Sequence, residues 1–328
     1  MSTGATAVSN GRFSRVRDAF AWEGTGLLGV LVIVFVLLSI YAPNFLTTAN
    51  LLNVLQQAAF FGIVAFAMTL VIVSGEIDVS VGSSAALTSS LVGYMVASMG
   101  FSMPLAALIA VAVAVSLGAF VGWIRHVFNV PTFIGTLALF LALRGAAHLV
   151  TNTFPIPIDS GEFFYWGTGR IFGVPVAALY LLIAFIVVAF IANFTVFGRS
   201  VYAVGGNART AQISGINVLK VRIFVMAISG FTAGITGLLQ TAQLASGNSN
   251  IAQGLEFDAI AAAVIGGTAM SGGKGSVVGT LIGVLFVAIL LNGMVLLGLN
   301  PYFQQVVRGA LVLFAVLINV VRTRRSHT

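Results

Sequence analysis

The sequence predicts an all-α protein, a polytopic transmembrane helical bundle, and three observations lead to this prediction. Of its 328 residues, 59% are hydrophobic and only 7% are charged, whereas a soluble domain carries roughly 25% charged residues. The chain also holds about ten apolar segments long enough to cross a hydrocarbon core. Its 37 glycines suit a bilayer, where small residues let helices approach closely. We therefore expect the outer surface of the chain to face lipid.

The apolar segments give the order of the predicted bundle, because a helix needs about 20 apolar residues to cross the membrane. We predict a cytoplasmic tail at 1–24, a single transmembrane domain at 25–321 and a second cytoplasmic tail at 322–328. The second, third and eighth spans adjoin Gly- and Ser-rich elbows, which makes them candidates for broken or re-entrant helices. The ten spans cover residues 25–42, 52–73, 80–99, 103–123, 132–150, 174–194, 222–243, 256–270, 277–298 and 303–321.

The basic residues give the orientation, since cytoplasmic loops carry an excess of Lys and Arg. With both termini inside, only Arg170 lies in an outer loop, while Arg144 and Arg308 lie within spans. The basic residues are scattered in short clusters, so the formal net charge of +7 does not indicate nucleic acid as a partner. The cytoplasmic set is Arg12, Arg15, Arg17, Arg125, Arg199, Arg209, Lys220, Arg222, Lys274, Arg322, Arg324 and Arg325.

The two cations within spans also suggest an internal repeat. Arg144 and Arg308 are each followed by Gly, and each comes a similar distance after a Ser-Gly pair, at residues 74–75 and 246–247. The two halves run in opposite directions in the predicted topology, as in the inverted repeats of many transporters. Spans two to five and seven to ten therefore form a possible inverted repeat. Each arginine pairs with a carboxylate or a carbonyl, or extends to the headgroups, and the sequence leaves these options open.

A polar elbow separates the second and third predicted spans. Its carboxylates, Glu76 and Asp78, interrupt an apolar stretch, and carboxylates at membrane depth persist where they line a cavity or find a partner. In a structural interpretation, Asp78 caps the next helix while Ser80 and Ser83 satisfy further backbone amides. The alternative is a transport pathway, for which the candidates are Ser74, Glu76, Asp78, Ser80 and Asn248.

The segment from Gly198 to Arg222 is the longest predicted cytoplasmic loop. It is polar, basic and punctuated by Gly, yet its central part has helical character. A short amphipathic helix at this face suits docking to a soluble partner, and the alternative is an ordinary solvated loop. If the segment is helical, Ala211 and Gly215 lie four residues apart on one face. Two small residues there would permit close contact with a partner.

A glycine-rich loop at residues 265–276 superficially resembles a phosphate-binding loop. The P-loop template requires Ser or Thr directly after the Lys and Gly at its first position, but these positions hold Gly275 and Thr268. We therefore predict a tight glycine turn and no nucleotide hydrolysis by this chain itself. The absence of Cys and the wide spacing of three His exclude thiolate and His-rich metal sites. We expect no catalytic residue, no cofactor and no metal.

Five runs of the sequence carry a family resemblance: MTLVIVSGEIDVSVGS, LALRGAA, FGRSVYAVGGNARTAQISGINV, IAAAVIGGTAMSGGKGSVVGT and VVRGALVLFAVLI. Together they resemble the permease subunits of bacterial ABC importers for ribose, xylose, arabinose and related sugars. Permeases for branched-chain amino acids share the architecture but match these runs less well. Two positions depart from the family pattern. Arg209 stands where the ATPase-contacting loop usually has Glu, and Glu76 stands where the elbow commonly has Gly, so Glu76 either tunes substrate choice or faces solvent.

The resemblance implies a permease of the cell inner membrane with several partners. Two permease chains, identical or related, would pair in the bilayer, ATPase subunits would bind on the cytoplasmic side, and a soluble sugar-binding protein would dock outside. The candidate residues of the ATPase-coupling loop are Arg209, Ala211, Gly215 and Asn217, among which Ala211 and Gly215 keep the family spacing. A small neutral sugar suits a path of hydroxyls and amides, because its own hydroxyls need no buried counter-charge.

Two alternatives stay open at this point. An ABC permease for another small polar solute would have the same architecture and a different path. An ion-coupled secondary transporter would need intramembrane carboxylates, and Glu76, Asp78, Glu256 and Asp258 all fall near the ends of predicted spans. The sequence decides neither the sugar nor whether two identical permeases pair.

Overall fold

The computed structural model describes residues 24–159 and 161–325. This part of the chain is mainly helical, as predicted, and contains four additional strands of two residues each. The helices are α1 Gly24–Tyr41, α2 Thr48–Val73, α3 Val81–Ala97, α4 Met103–Val127, α5 Thr132–Thr151, α6 Gly161–Thr168, α7 Val176–Phe194, α8 Val196–Gly206, α9 Ala208–Ile213, α10 Val218–Leu244, α11 Leu255–Ile265, α12 Val277–Leu296 and α13 Pro301–Arg325. The strands are β1 Ile156–Pro157, β2 Arg170–Ile171, β3 Val174–Pro175 and β4 Ser246–Gly247.

The long helices follow the predicted spans in order. In the part of the chain that the structure describes, α2, α4, α5, α7, α10 and α12 are each long and apolar enough to cross a membrane. The apolar stretches of α1, α3 and α13 are shorter, and α11, at the eighth predicted span, has only 11 residues. The number of crossings therefore stays a prediction. The predicted N-terminal tail lies outside the described residues, apart from Gly24 at the start of α1.

Helix α2 is the centre of the bundle. Every residue from Ala58 to Val73 is buried, as expected for a helix that is apolar on all sides. Helices α7, α10, α11 and α12 pack around it. Helices α1 and α7 lie at the periphery, where they present exposed side chains such as Ile33 and Ile186 to the lipid.

Glycines bring the backbones of neighbouring helices into contact. A Cβ atom at Gly118 of α4 would collide with the Met226 carbonyl oxygen of α10, and one at Gly230 would collide with the Ala114 carbonyl oxygen. Gly283 of α12 packs in the same way on the Ala262 carbonyl of α11. These three glycines therefore serve helix contacts within one chain.

The same helix pairings occur twice in the molecule. Helix α3 packs on α4, α5 and α10, and α4 packs on α10. Helix α11 packs on α12, α13 and α2, and α12 packs on α2. These two sets correspond when α2, α3, α4 and α5 are matched in order with α10, α11, α12 and α13. Each helix contact in the first set then has an equivalent contact in the second.

The bundle has two chemically different ends. We call the end formed by residues 124–132, 195–222 and 266–276 the basic end, because it carries Arg and Lys side chains. At the opposite end, β1 pairs with β4 in antiparallel register, while β2 and β3 form a small hairpin before α7. Because β4 lies at this end, residues 248–254, which follow it, lead back into the bundle.

We expect Gly118→Ala to destabilise the protein, because the added methyl group must displace backbone at the α4–α10 contact. Overpacking of this kind costs about 1–3 kcal/mol. Gly29→Ala is the matched control, since Gly29 lies in α1 with no neighbouring atom within 4 Å, so its midpoint should stay unchanged or rise slightly. The measurement is the thermal unfolding midpoint of each purified variant in detergent. Equal midpoints for the two variants would contradict the proposed contact.

Candidate functional site

A non-helical segment and a short helix form the most unusual part of the bundle. Helix α10 ends at Leu244, and the next residue, Ala245, adopts a left-handed conformation with φ of 55°. After β4, the chain is not helical until Leu255, where α11 begins. Eleven residues of helix span about 16 Å, roughly half of a hydrocarbon core of about 30 Å. The predicted span 256–270 is therefore a half-helix preceded by unwound backbone.

Arg144 satisfies the backbone of this unwound segment. Its Nη1 atom donates to the carbonyl oxygens of Ser249 at 2.8 Å and Ile251 at 2.9 Å. On the same helix, α5, the Thr151 hydroxyl donates to the Ser249 hydroxyl at 2.9 Å. Exposed backbone carbonyls are costly in an apolar solvent, so these contacts stabilise the break. The alternative in which Arg144 extends to the headgroups is wrong, and its carbonyl partners are the reason.

Two carboxylates lie in the first turn of α11. The Asp258 Oδ1 atom lies 3.6 Å from the Nε atom of Arg308 on α13, so Arg308 pairs with a carboxylate and does not extend to the headgroups. The Glu256 side chain is buried and lies against Gly82, in the first turn of α3. It thus lies where two helices begin, and the positive ends of their dipoles favour a negative charge. As expected, Glu256 and Asp258 lie at the start of the eighth predicted span, and both are buried there.

A cavity of about 690 Å³ opens beside the start of α11, between α5 and α13. It contains charged groups of both signs, two carboxamides and aromatic rings. Sequence reasoning singled out its two arginines and Glu256 but missed His148, Gln253 and Gln305, since lone Gln and His residues carry no local pattern. The lining residues are Phe140, Arg144, His148, Gln253, Gly254, Glu256, Phe257, Gln305, Arg308, Gly309 and Val312.

The elbow at residues 74–80 is stabilised by hydrogen bonds of its own side chains. Asp78 Oδ1 accepts from the Ser80 amide at 2.9 Å and from the Ser80 hydroxyl at 2.7 Å, and Oδ2 accepts from Ser229 of α10 at 2.7 Å. Ser74 donates to Val71 at the end of its own helix. Asp78 thus satisfies the amide of Ser80, the residue before α3, but no side chain that the structure describes caps the first turn of α3, and the Ser80 hydroxyl donates to Asp78 instead of accepting from an amide. The expected role of Ser83 is wrong, because its hydroxyl has no hydrogen-bond partner among the described residues.

Glu76 joins four elements at the basic end. Its carboxylate lies 3.1 Å from Arg125 Nε of α4 and 2.8 Å from Arg222 Nε of α10. The Thr132 hydroxyl, at the start of α5, donates to Oε2 at 2.9 Å. Glu76 is only 4% exposed, so the alternative in which it faces solvent is wrong, while a role in substrate choice stays a prediction. Sequence reasoning treated Arg125 and Arg222 only as topology signals and missed their role as its partners.

Asn248 follows β4, where its side chain serves a local turn. Its Oδ1 atom accepts from the Asn250 amide at 2.8 Å, and its own amide donates to the Ser89 hydroxyl of α3 at 3.0 Å. Its contribution to a transport pathway stays a prediction. In the described part of the chain, no three His, Asp or Glu side chains come together in a way that could hold a metal ion.

The predicted coupling segment forms two short helices and a tight turn. Asn207 and Asn217 cap α9 and α10 by accepting from the amides of Thr210 and Lys220. Helix α9 ends at Ile213, and Gly215 follows it in a left-handed conformation with φ of 86°. The expectation that Ala211 and Gly215 share a helix face is therefore wrong.

The surroundings of Ala211 and Gly215 explain why both residues are small. Ala211 is buried inside the chain and Gly215 has open space around it. Glycine is favoured at residue 215 because it adopts a positive φ at little cost. Ile213, the last residue of α9, is an apolar side chain that is 75% exposed.

The glycine-rich loop at residues 266–276 is a tight turn, as predicted, with positive φ at Gly267, Gly272 and Gly273. It packs directly on the backbone of two other elements. The Gly273 amide donates to the Val73 carbonyl at 2.8 Å, and a Cβ atom at Gly205 of α8 would collide with that same carbonyl. This loop, the end of α2 and the end of α8 therefore meet without intervening side chains.

Tyr202 adds a side-chain link at this junction. Burial raises the pKa of its phenol, so the hydroxyl stays protonated and donates to the Gly275 carbonyl at 2.9 Å. Tyr202 lies on α8, the helix directly before α9. The basic end is thus connected by backbone and side-chain contacts to the loop that follows α11.

Comparison with known proteins shows the family of this chain. Residues 50–316 match the family described as "branched-chain amino acid transport system / permease component", so the chain belongs to this family of ABC permeases. It is 50% identical over 301 residues to the probable ABC transporter permease protein YphD of Escherichia coli strain K12, covering 92% of this chain and 90% of that protein.

Two further relatives carry the names of sugars. The ribose import permease protein RbsC of Escherichia coli strain K12 is 40% identical over 305 residues, with 92% of this chain and 94% of the relative covered. The xylose transport system permease protein XylH of Haemophilus influenzae is 32% identical over 336 residues, with 84% and 90% covered. No solved structure matches the chain.

We expect Glu76→Ala to destabilise the protein strongly, because it leaves Arg125 and Arg222 beside each other without a counter-charge. Removing one partner of a buried ion pair costs about 3–5 kcal/mol. The measurement is the unfolding midpoint in detergent. Arg199→Ala is the control, because this exposed arginine lies at the same end and its loss should change stability by less than about 0.5 kcal/mol. If the two variants unfold alike, the Glu76 cluster does not hold these elements together.

Proposed function

We propose that this chain is the membrane-spanning permease of an ATP-driven importer and forms the path of a small neutral sugar across the cell inner membrane. The observation that carries this proposal is the cavity beside the half-helix α11. Its polar groups lie at the break of a helix within the bundle, where transporters of other folds also place their substrate sites. The sugar names of the relatives support the substrate class, and the chain itself catalyses no reaction.

The polar groups of the cavity suit a neutral solute. Asp258 offsets Arg308 at 3.6 Å, while the Arg144 guanidinium is engaged by two carbonyls. Gln253 and Gln305 offer both donors and acceptors to hydroxyl groups. Glu256 also lines the cavity, and the starts of α3 and α11 offset its negative charge. A charged substrate would need a further counter-charge, which is costly at membrane depth. Another small polar solute is the alternative within the same class of permease.

We assign the basic end to the cytoplasm, on the strength of the Lys and Arg excess. The segment at residues 207–217 would then contact the ATPase subunit, which supplies the energy for alternating access. The junction of Gly205, Val73 and Gly273 would carry its motion towards α11. A soluble binding protein would deliver the sugar at the opposite end, near residues 152–175.

A second permease copy would complete the path. The larger cavity lies between α5 and α13, where its wall includes the exposed Phe257 and Gln305. These two helices correspond under the exchange of α2–α5 with α10–α13. This correspondence and the opposite directions of the two halves support an inverted repeat, with the cavity at its interface. Whether the second copy is identical or a related chain is a separate question.

An ion-coupled secondary transporter is the rival function. Glu256 and Asp258 lie inside the bundle, as such a mechanism requires. However, Asp258 already has a cationic partner in Arg308. Membership of the ABC permease family favours the importer.

Uptake by reconstituted vesicles tests the proposed function. The vesicles contain the chain with its partner ATPase. ATP is supplied on the side of the membrane at which the basic end lies. The binding protein is added on the other side with labelled ribose, xylose or arabinose. We expect uptake of at least one sugar to require ATP and the binding protein. Uptake driven by a proton or sodium gradient without ATP would instead support the secondary transporter.

The Gly215 turn gives a prediction about coupling. Gly215→Val forces a branched side chain into a left-handed conformation at a cost of about 1–2 kcal/mol, so it should distort the turn and lower ATPase association and sugar uptake together. Gly215→Asn should retain more of both, because Asn tolerates this conformation. The measurement is co-purification of the ATPase with each variant. Arg209→Ala should have a smaller effect, because exposed charge contacts contribute little.

Gly173→Val is the matched control for this experiment. Gly173 also has a positive φ, of 83°, and open space around it, but it lies in the hairpin at the opposite end. It should retain the ATPase at the wild-type level. If Gly173→Val releases the ATPase and Gly215→Val does not, residues 207–217 are not the coupling element.

A further inference from the structure

A second, smaller and open cavity of about 240 Å³ is formed by a single chain and lined by residues of α2, α10, α11, α12 and α13. It shares Gln253 and Arg308 with the larger cavity, so the two adjoin. Nothing in the proposed path requires this space. Its polar groups come from helices far apart in the sequence and converge on one point beside the start of α11.

Three carboxamides converge in this cavity, from Gln57 of α2, Gln240 of α10 and Gln253 of the unwound segment. Each side chain offers two donors and one acceptor. None of the three makes a side-chain hydrogen bond within the described part of the chain, whereas the adjacent Gln56 donates to the Gly167 carbonyl at 3.1 Å. Gln57 and Gln253 are exposed and Gln240 is half-buried, so their amide groups are free to donate to and accept from a polar ligand in the cavity.

The Asp258–Arg308 pair supplies the charged side of the cavity. At 3.6 Å the pair is too long for a good hydrogen bond, and Arg308 Nε has no hydrogen-bond partner among the described residues. The carboxylate is left able to accept and the guanidinium able to donate. Because the two charges offset each other, this wall favours a neutral ligand with both hydroxyl donors and acceptors.

Phe60 and Phe61 of α2 form an apolar part of the wall. An apolar surface opposite a few convergent polar groups is typical of small-molecule sites. The volume of about 240 Å³ is below the roughly 300–1,000 Å³ of pockets for drug-sized ligands. The cavity is therefore sized for a solute of one small ring and not for an oligosaccharide.

We infer that this small cavity is a binding site for one neutral monosaccharide-sized polyol within each permease chain, held by Gln57, Gln240, Gln253 and the Asp258–Arg308 pair. The inference rests on the proposed function and makes it more specific. The permease itself would then select its solute by size and hydroxyl pattern. Each copy of a permease pair would carry its own site, beside the larger cavity between the copies.

Cysteine labelling tests this inference cleanly, because the chain has no native Cys. Ala252→Cys reports on the small cavity, which Ala252 lines, and Val312→Cys reports on the larger one. Each variant, in complex with its ATPase, reacts with a small water-soluble methanethiosulfonate reagent. The added probes are D-ribose, D-xylose, L-arabinose, D-glucose or glycerol, with sucrose as an oversized control. ATP-dependent uptake of the same sugars is measured in parallel.

We expect at least one monosaccharide to slow labelling of Ala252→Cys about tenfold when present at ten times its dissociation constant, while sucrose has no effect. Gln240→Leu in the Ala252→Cys background removes one hydrogen-bonding group from the site. It should raise the half-protecting concentration, which is the sugar concentration that halves the labelling rate, about threefold to tenfold. The unfolding midpoint of this double variant is measured to verify that it is folded. An unchanged half-protecting concentration would contradict the role of Gln240.

The outcomes separate this inference from the proposed function. Uptake of a monosaccharide that protects neither Cys, or only Val312→Cys, overturns the small site and leaves the importer standing. Protection of Ala252→Cys without ATP-dependent uptake supports the site and overturns the importer. Neither protection nor uptake with any of the sugars overturns both.

Discussion

The need to satisfy backbone polar groups away from water is the constraint on which this structure depends. Most of the described chain meets it with helices, which pair their own amides and carbonyls. The segment between β4 and α11 does not, and Arg144 supplies the missing donors to Ser249 and Ile251. The break in turn lets α11 begin inside the bundle, which creates both cavities. Arg144, together with Thr151, therefore stabilises the unwound segment from which α11 begins.

Charge pairing is the second consequence of an apolar solvent. Asp258 and Arg308 join α11 to α13, and Glu76 joins the elbow after α2 to α4 and α10. Such pairs contribute little net stability but are costly to break on one side. Each ion pair therefore holds its helices together unless both of its partners move into water or form new ion pairs. For the alternating access proposed above, this property favours a small number of discrete arrangements over continuous drift.

Close backbone packing explains how the basic end is connected to the polar interior. The Gly205 backbone, the Val73 carbonyl and the Gly273 amide meet directly, and the loop of Gly273 continues into α11 on one side and α12 on the other. Long side chains can change rotamer and absorb a displacement, but a backbone contact transmits it. Tyr202 reinforces the contact through its hydrogen bond to Gly275. This connection gives the proposed coupling segment a physical route to the cavities.

The sequence by itself determined the class of fold, the order of the long helices and the membership of the permease family, because apolar segment length and local motifs are read along the chain. It also indicated that Gly267, Gly272 and Gly273 belong to a tight turn. Only the tertiary structure decided the partners of Arg144, Arg308 and Glu76, since each partner comes from a distant segment. It also showed that Gly215 serves a left-handed turn instead of a helix face. The carboxamides of Gln57, Gln240 and Gln253 carry no local signal, and only the packing of α2, α10 and α11 brings them together.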